Sequence, residues 1–139
     1  MTKIQYPLPG NVINDVVDAL KFDDRGLIPA IAQQHDTGEV LMMAWMNADA
    51  VRESLTTGRV CYWSRSRNNF WRKGESSGQV QSLKAFRYDC DADTILLEVH
   101  QDGVACHTGR RNCFYLEAGN DGVNIIADVV TDPGELYKK

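Results

Sequence analysis

The chain has 139 residues, of which 43% are hydrophobic, and this suits one domain with a core of its own. Fifteen basic and nineteen acidic residues give a formal net charge of −4. We therefore expect no general electrostatic attraction between this protein and nucleic acid. No apolar run approaches the ~20 residues of a membrane span, and the start MTKIQYPLPG lacks the apolar segment of a signal peptide, so we expect a cytoplasmic protein.

The first predicted element is a helix over residues 11–21, with Asn11 as its N-cap. One helical stripe of this segment is apolar and consists of Val12, Ile13, Val16, Val17 and Leu20. We expect this stripe to pack over a sheet.

A β-hairpin is predicted next, over residues 27–46, because the sequence HDTG supplies turn residues between two apolar runs. A short helix should follow over residues 47–58. It would begin after the capping Asn47, carry Asp49 in its positive first turn, and end at Gly58.

The rest of the chain consists of β-rich runs separated by Gly, Asn or Asp, namely VCYWS, VQSLKAFRY, TILLEVHQ, CFYLEA and VNIIADVV. No repeat or linker is present, so we expect a single domain over residues 1–139, ending in a tail over about 131–139. The predicted fold class is α+β and mainly β, with a mixed or antiparallel sheet, or a barrel-like fold, and two short helices. Since few helices cover this sheet, a second subunit is expected to cover part of it.

Residues 89–114, DCDADTILLEVHQDGVACHTGRRNCF, contain three of the four cysteines. In a reducing cytosol these are thiols, so metal binding or catalysis explains the cluster better than disulfides do. Cys90, Cys106 and Cys113 lack the paired C-x₂-C spacing of a closed structural zinc site. Three thiolates predict a zinc ion with one position left for water, whose pKa the ion would lower from ~15.7 toward ~7. Cys61, in VCYWS, is expected to be a buried strand thiol.

His107 follows Cys106 directly and therefore lies near any metal that Cys106 binds. Its unperturbed pKa of ~6.5 suits proton transfer at neutral pH. The spacing leaves the alternatives open: His107 is a general base, a fourth ligand that closes the site, or a turn histidine.

Asp89, Asp91 and Asp93 form the pattern D-x-D-x-D, and oxygen donors at alternate positions suit a hard cation such as Mg²⁺ or Ca²⁺. In an extended strand they would share one face, with Cys90 on the other. The Gly and distal Glu of an EF-hand loop are missing. The alternative is a solvated acidic loop before a strand.

A second candidate segment is WSRSRNNFWRKGESSGQVQ, residues 63–81, which is basic and rich in small and hydroxyl residues. Such a segment can hold phosphate groups, and its tryptophans can stack on a purine. The candidate substrate-binding residues are Trp63, Arg65, Arg67, Arg72, Lys73, Glu75, Ser76 and Ser77. The alternative is a basic hairpin with one tryptophan in the core.

FWRKGESSGQVQ, DCDADTILLEVHQDG and ACHTGRRNCF, in this order and spacing, resemble the phosphoribosyl-AMP cyclohydrolases of histidine biosynthesis. The resemblance runs from about residue 26 to about residue 117. It implies a mainly β homodimer with active sites at the subunit interface. It also implies hydrolytic opening of the adenine ring of 1-(5-phosphoribosyl)-AMP at N1–C6, giving the formimino carboxamide ribonucleotide, with no nucleic-acid or membrane partner.

The same resemblance implies the site residues. One zinc ion per subunit would be held by Cys90 of one subunit and by Cys106 and Cys113 of the other. Mg²⁺ would be held by the three aspartates, and His107 would be catalytic. A fused pyrophosphohydrolase domain, present in some relatives, is not expected, so the enzyme should be monofunctional.

Two positions depart from the familiar pattern. Asn112 precedes Cys113 where serine is expected, and Gln79 follows Gly78 where histidine or asparagine is more familiar. Neither is an implied metal ligand, so the departures bear on contacts around the substrate and not on the activity.

Two alternatives come from other functional classes. A zinc nucleobase deaminase would carry H-x-E and P-C-x-x-C, but Thr108 and Gly109 follow His107 here. A structural zinc module that binds RNA or a protein through the Arg-Trp segment would need a closed metal site and would bind nucleic acid in a salt-sensitive way.

Overall fold

The computed structural model of the chain describes residues 3–136. Its helices are α1 (Gly10–Ala19), α2 (Ala48–Thr57) and α3 (Pro133–Leu136). Its strands are β1 (Ile28–Gln34), β2 (Val40–Met46), β3 (Cys61–Ser64), β4 (Asn69–Arg72), β5 (Gln81–Tyr88), β6 (Ile95–Gln101), β7 (Leu116–Gly119) and β8 (Gly122–Ile125).

Six strands form one mixed sheet in the order β4-β3-β2-β1-β6-β5, and β7 and β8 form a separate hairpin. The β1–β6 pair is parallel and the other pairs are antiparallel. The sheet curls, because Leu83 donates to the Gly58 carbonyl at 2.7 Å and Val60 donates to the Gln81 carbonyl at 3.1 Å. The predicted mainly β, barrel-like α+β fold is confirmed.

The core lies inside the curl. Side chains of β1 and β6 alternate between the buried face and the other face, as a half-buried strand requires. The largest fully buried apolar side chains include Ile28, Leu41, Met46, Leu55, Ile95 and Leu97. Cys61 is also fully buried, and burial raises its pKa to about 12, so this thiol is part of the core.

Helix α2 begins and ends where the sequence predicts. The side chain of Asn47 accepts a hydrogen bond from the Ala50 N–H at 2.8 Å, and Gly58 ends the helix in the left-handed conformation with φ 75°. The helix buries Val51 and Leu55 against the sheet. It therefore covers the inner side of β3, from which part of the site is built.

The predicted N-cap of α1 was wrong. The helix begins at Gly10, where the Pro9 carbonyl accepts from the Val12 and Ile13 N–H groups, and no side chain in the described part of the chain caps it. Asn11 lies inside the first turn. The helix ends at Ala19 because Leu20 is extended, with ψ 138°, and turns its side chain into the core.

We expect Asn47→Ala to lower the free energy of unfolding by about 1 kcal/mol, because it removes the only side-chain acceptor at the start of α2. Asn11→Ala is the matched control and should change the stability by less than about 0.5 kcal/mol. Urea unfolding followed by circular dichroism measures both. Equal effects of the two substitutions would contradict the cap assignments.

Three further differences from the prediction are local. Asn69–Arg72 is a strand that is absent from the predicted β-rich runs, and it pairs with β3 through Trp63–Phe70 and Tyr62–Trp71, as in the basic hairpin that is the alternative prediction for residues 63–81. The run VNIIADVV is a strand only as far as Ile125. The predicted tail begins with the one-turn helix α3, whose Leu136 is buried, and residues 137–139 of that tail lie outside the described part. Among residues 3–136, no helix is long and apolar enough to cross a membrane.

Candidate functional site

A cavity of about 620 Å³ opens between the β3–β4 hairpin, the segment 73–78 that follows it, and the loop after β6. We call residues 73–78 the serine loop and residues 102–113 the cysteine loop. Predicted site residues that line the cavity are Arg67, Arg72, Lys73, Glu75, Ser76, Ser77, His107 and Cys113. The structure thus brings the second candidate segment and part of the cysteine segment together.

Main-chain hydrogen bonds shape the cysteine loop. Ala105 donates to the Arg111 carbonyl at 2.9 Å, and Cys113 donates to the Leu41 carbonyl of β2 at 2.8 Å. Gly109 donates to the Cys106 carbonyl at 3.0 Å and closes a tight turn with φ 84°. This turn places His107, an exposed residue, at the wall of the cavity next to Cys106.

The Cys106 thiol is close enough to Cys113 to influence its ionisation. Cys106 is only 5% exposed, and its sulfur accepts from the Thr108 hydroxyl at 3.0 Å. Although Cys113 is exposed as a residue, partial desolvation of its thiol, and then the neighbouring Cys106, raise its pKa to about 12. Two adjacent thiols cannot both ionise cheaply unless a cation compensates them, so this pair fits a thiophilic divalent ion such as zinc.

Cys90 lies elsewhere in the same chain. It sits in the turn before β6, whereas Cys106 follows the end of β6, a strand of seven residues. At ~3.3 Å per residue the two ends of such a strand are ~20 Å apart. Within residues 3–136, the only group of three or more potential ligands with ligand atoms inside 4.8 Å of one another is Asp89, Asp91 and Asp93.

The three aspartates lie in a turn and not in an extended strand. Ala92 has φ 61°, and the Ala92 N–H donates to the Asp89 carbonyl at 3.0 Å, so the chain folds back between the carboxylates. The side chains are drawn together by this turn, and Cys90 lies in it with them.

The carboxyl groups of this turn differ in their pKa. Hydrogen bonding with Asp91, and then with Asp89, raises the pKa of Asp93. At Asp89 desolvation works in the same direction, but the N–H groups of Asp93 and Thr94 donate to this carboxylate at 3.0 and 3.2 Å, and its pKa is lowered. The three carboxylates crowd together, and a hard cation such as Mg²⁺ would offset their mutual repulsion, so the cluster fits such an ion.

Lys73 is buried, with 7% of its surface exposed. Its Nζ donates to the Ala105 carbonyl at 2.9 Å and lies 5.4 Å from the centre of the Trp71 ring. Burial lowers the pKa of this ammonium group, while Cys113 and Cys106 oppose the shift. Lys73 therefore ties the serine loop to the cysteine loop beside the thiols and puts a positive charge there.

The remaining predicted substrate contacts divide into two groups. Arg67 lines the cavity and has no ion-pair partner among the described residues, whereas Arg72 forms two 2.8 Å hydrogen bonds with Glu53. Trp63 and Arg65 do not line the cavity. Trp63 packs on Phe70, with ring centres 5.1 Å apart, and the Arg65 guanidinium lies 4.6 Å from the centre of the Trp45 ring.

A polar layer beneath the cysteine loop was not anticipated from the sequence. Arg111 donates from Nε to Glu39 at 3.2 Å, from Nη2 to Gln34 at 2.9 Å, and from Nη1 to the carbonyls of Gln101 and Gly103. Asn112 donates to the other Glu39 oxygen at 3.0 Å. These residues hold the loop against the β1–β2 turn. Gln34 and Gln101 are buried in β1 and β6. In the sequence, only their polarity within apolar runs distinguishes them.

Several known proteins are similar to this chain over most of its length. The family described as phosphoribosyl-AMP cyclohydrolase matches residues 42–115. A phosphoribosyl-AMP cyclohydrolase of Paramagnetospirillum magneticum is 67% identical over 124 residues, which is 89% of this chain and 94% of the relative. Proteins of the same name from Magnetococcus marinus and Granulibacter bethesdensis are 68% and 61% identical and cover 86% and 90% of this chain, or 93% and 98% of the relatives.

Proposed function

The chain belongs to the phosphoribosyl-AMP cyclohydrolase family, and from this premise we propose that it hydrolyses the N1–C6 bond of the adenine ring in 1-(5-phosphoribosyl)-AMP, a step of histidine biosynthesis. The observation that carries the proposal is the convergence of His107, Cys113 and the serine loop on one cavity of about 620 Å³. A cavity of this size suits a nucleotide. The cytoplasmic location and the monofunctional character stay predictions.

We propose that Cys90, Cys106 and Cys113 hold zinc, and that Asp89, Asp91 and Asp93 hold Mg²⁺. The adjacent thiols and the crowded carboxylates both fit these ions, as described above. Zinc, when bound, would supply a water molecule whose pKa is lowered toward neutrality. Lys73 contributes a positive charge beside the thiolates and fixes the Ala105 carbonyl through its 2.9 Å hydrogen bond.

His107 is proposed as the general base and acid. Alkylation at N1 makes the substrate ring cationic and C6 electrophilic. The imidazole takes a proton from the attacking water as the C6–O bond forms, and returns it to N1 as the C6–N1 bond breaks. The exocyclic nitrogen stays on C6, and the C6 hydroxyl loses its remaining proton to solvent as its oxygen becomes the carbonyl of the carboxamide. The turn closed by Gly109 gives His107 a fixed backbone while its side chain remains exposed to the cavity.

The substrate's two phosphate groups need cationic side chains and N–H donors at the cavity wall. Arg67 is a cation there that has no ion-pair partner within residues 3–136, and the serine loop offers two hydroxyl groups at Ser76 and Ser77. Trp71 is the tryptophan that faces the cavity, and its ring is held against Tyr62 with centres 5.4 Å apart. We propose Trp71 in place of Trp63 as the aromatic contact of the purine.

A homodimer with shared zinc ligands is also proposed. Within one chain the length of β6 separates Cys90 from Cys106 and Cys113, so one ion can meet all three only if two chains contribute. A large apolar surface borders Cys113 and is available to a second copy. It consists of Phe114, Leu116, Val123, Ile125, Ile126 and Val130, each more than half exposed.

The direct test is turnover by purified, zinc-loaded protein. We expect ring opening of 1-(5-phosphoribosyl)-AMP, followed by ultraviolet absorbance, to depend on zinc and to release no ammonia. Ammonia release would indicate a deaminase instead. No absorbance change from folded protein with its full zinc content would contradict the proposed function and favour a zinc-containing binding module.

A further inference from the structure

The side chain of Gln79 joins the two loops that form the cavity. Its Oε1 accepts from the Val104 N–H of the cysteine loop at 2.9 Å, and its Nε2 donates to the Ser77 carbonyl of the serine loop at 3.2 Å. A single half-buried carboxamide therefore spans the gap between the loop that carries the serines and the loop that carries His107.

The main chain of Gln79 is fixed from below. Gln101, only 2% exposed, donates from Nε2 to the carbonyls of Gln79 at 3.0 Å and Asp102 at 2.8 Å. Its Oε1 accepts from Gln81 at 2.8 Å, and Gln81 accepts from the Tyr62 hydroxyl at 2.7 Å. Buried networks whose polar groups are hydrogen-bonded are rigid. The main chain of Gln79, from which the carboxamide extends, is therefore fixed in position.

Gly103 provides the space for this carboxamide. A Cβ atom at position 103 would lie 1.6 Å from Gln79 Oε1, and the backbone there has φ 65°. Any other residue at this position would displace the Gln79 side chain. The observed position of the Gln79 carboxamide therefore requires glycine at position 103, although 24 positions separate the two residues.

We propose that Gln79 is a positioning residue that sets the His107-bearing loop relative to the substrate held by the serine loop. This inference rests on the proposed function. Gln79 acts through its hydrogen bonds to Val104 and Ser77 and does not contact the reacting atoms. Misplacement of reacting groups by ~1 Å can cost ~10²-fold in rate, so a small loosening of this contact affects turnover.

The first test replaces Gln79 with Met, which has a similar length and cannot form these hydrogen bonds. We expect kcat to fall about 10- to 100-fold per zinc-loaded dimer, while KM changes by less than about threefold. Gln33→Met is the matched control, since Gln33 donates only to Gly38 in the β1–β2 turn, and its kcat should equal that of wild type. A merely structural role would lower the melting temperature and leave kcat per folded, zinc-loaded dimer unchanged, and this result would overturn the inference.

The second test uses the fit between Gln79 and Gly103. Gly103→Ala should reduce kcat to the range of Gln79→Met, because the added methyl group pushes the carboxamide aside. In the double variant Gln79→Ser/Gly103→Ala, kcat should be no lower than in Gln79→Ser alone, since both changes break one contact. Multiplicative losses would contradict the proposal.

The two proposals fail in distinguishable ways. If the wild-type protein does not turn over the substrate, the proposed function fails. If wild type turns over and Gln79→Met matches it in kcat, only the inference about Gln79 fails.

Discussion

The His107→Ala variant is expected to retain zinc at the wild-type stoichiometry while kcat falls by about 10²–10⁴-fold. The side chain lies at the cavity wall, exposed, beside buried Cys106 and across from the serine loop. In the proposed mechanism this side chain would contact the attacking water molecule and the departing N1. In the proposed mechanism, removal of the imidazole would leave both proton transfers to solvent, and the proposed zinc ligands would stay in place.

Zinc content by mass spectrometry and steady-state kinetics on the same sample test this expectation. His35→Ala is the matched control, because His35 is an exposed histidine in the β1–β2 turn and does not line this cavity. It should keep both zinc and kcat. Loss of zinc together with activity in His107→Ala would make His107 a ligand and remove it as the general base.

The parts of the fold that could be predicted are those that depend on residues close together in the sequence. The cap at Asn47 and the stop at Gly58 are local, and both were confirmed. The cap at Asn11 was wrong because Pro9, two residues earlier, already supplies the carbonyl that starts the helix. The strand β4 is absent from the predicted β-rich runs because polar residues flank its two aromatic residues, and only the alternative of a basic hairpin over residues 63–81 allowed for its pairing with β3.

The site was predictable as a set of residue types but not as an arrangement. Lys73 was expected to hold phosphate, yet it is buried and bonded to Ala105. Charge on a side chain does not reveal whether it faces solvent. Gln79 was noted as a departure from the family pattern, and its link to Val104, 25 residues away, is set by the curl of the sheet. Spacing in sequence carries no information on such contacts.

The separation of Cys90 from Cys106 and Cys113 along β6 leads to a second prediction with a large effect on turnover. Cys90 precedes this seven-residue strand, and Cys106 and Cys113 follow it, so the proposed zinc site with all three thiols would need two chains. Each half of the set can then be removed in a different subunit. Cys90→Ser and Cys113→Ser should each abolish turnover when present in both subunits, because every zinc site then lacks one thiolate.

Mixing these two variants should restore activity to about one quarter of wild type. Random subunit exchange makes about half of the dimers mixed, and each mixed dimer has one complete site out of two. The matched control is a mixture of Cys106→Ser and Cys113→Ser, which should stay inactive because those two residues serve the same site from the same chain and no pairing completes it. Native mass spectrometry establishes that mixed dimers form. Mixed dimers of Cys90→Ser and Cys113→Ser that remain inactive would contradict the shared site, whereas recovery in that mixture alone would place Cys90 across the subunit interface from the two other thiols.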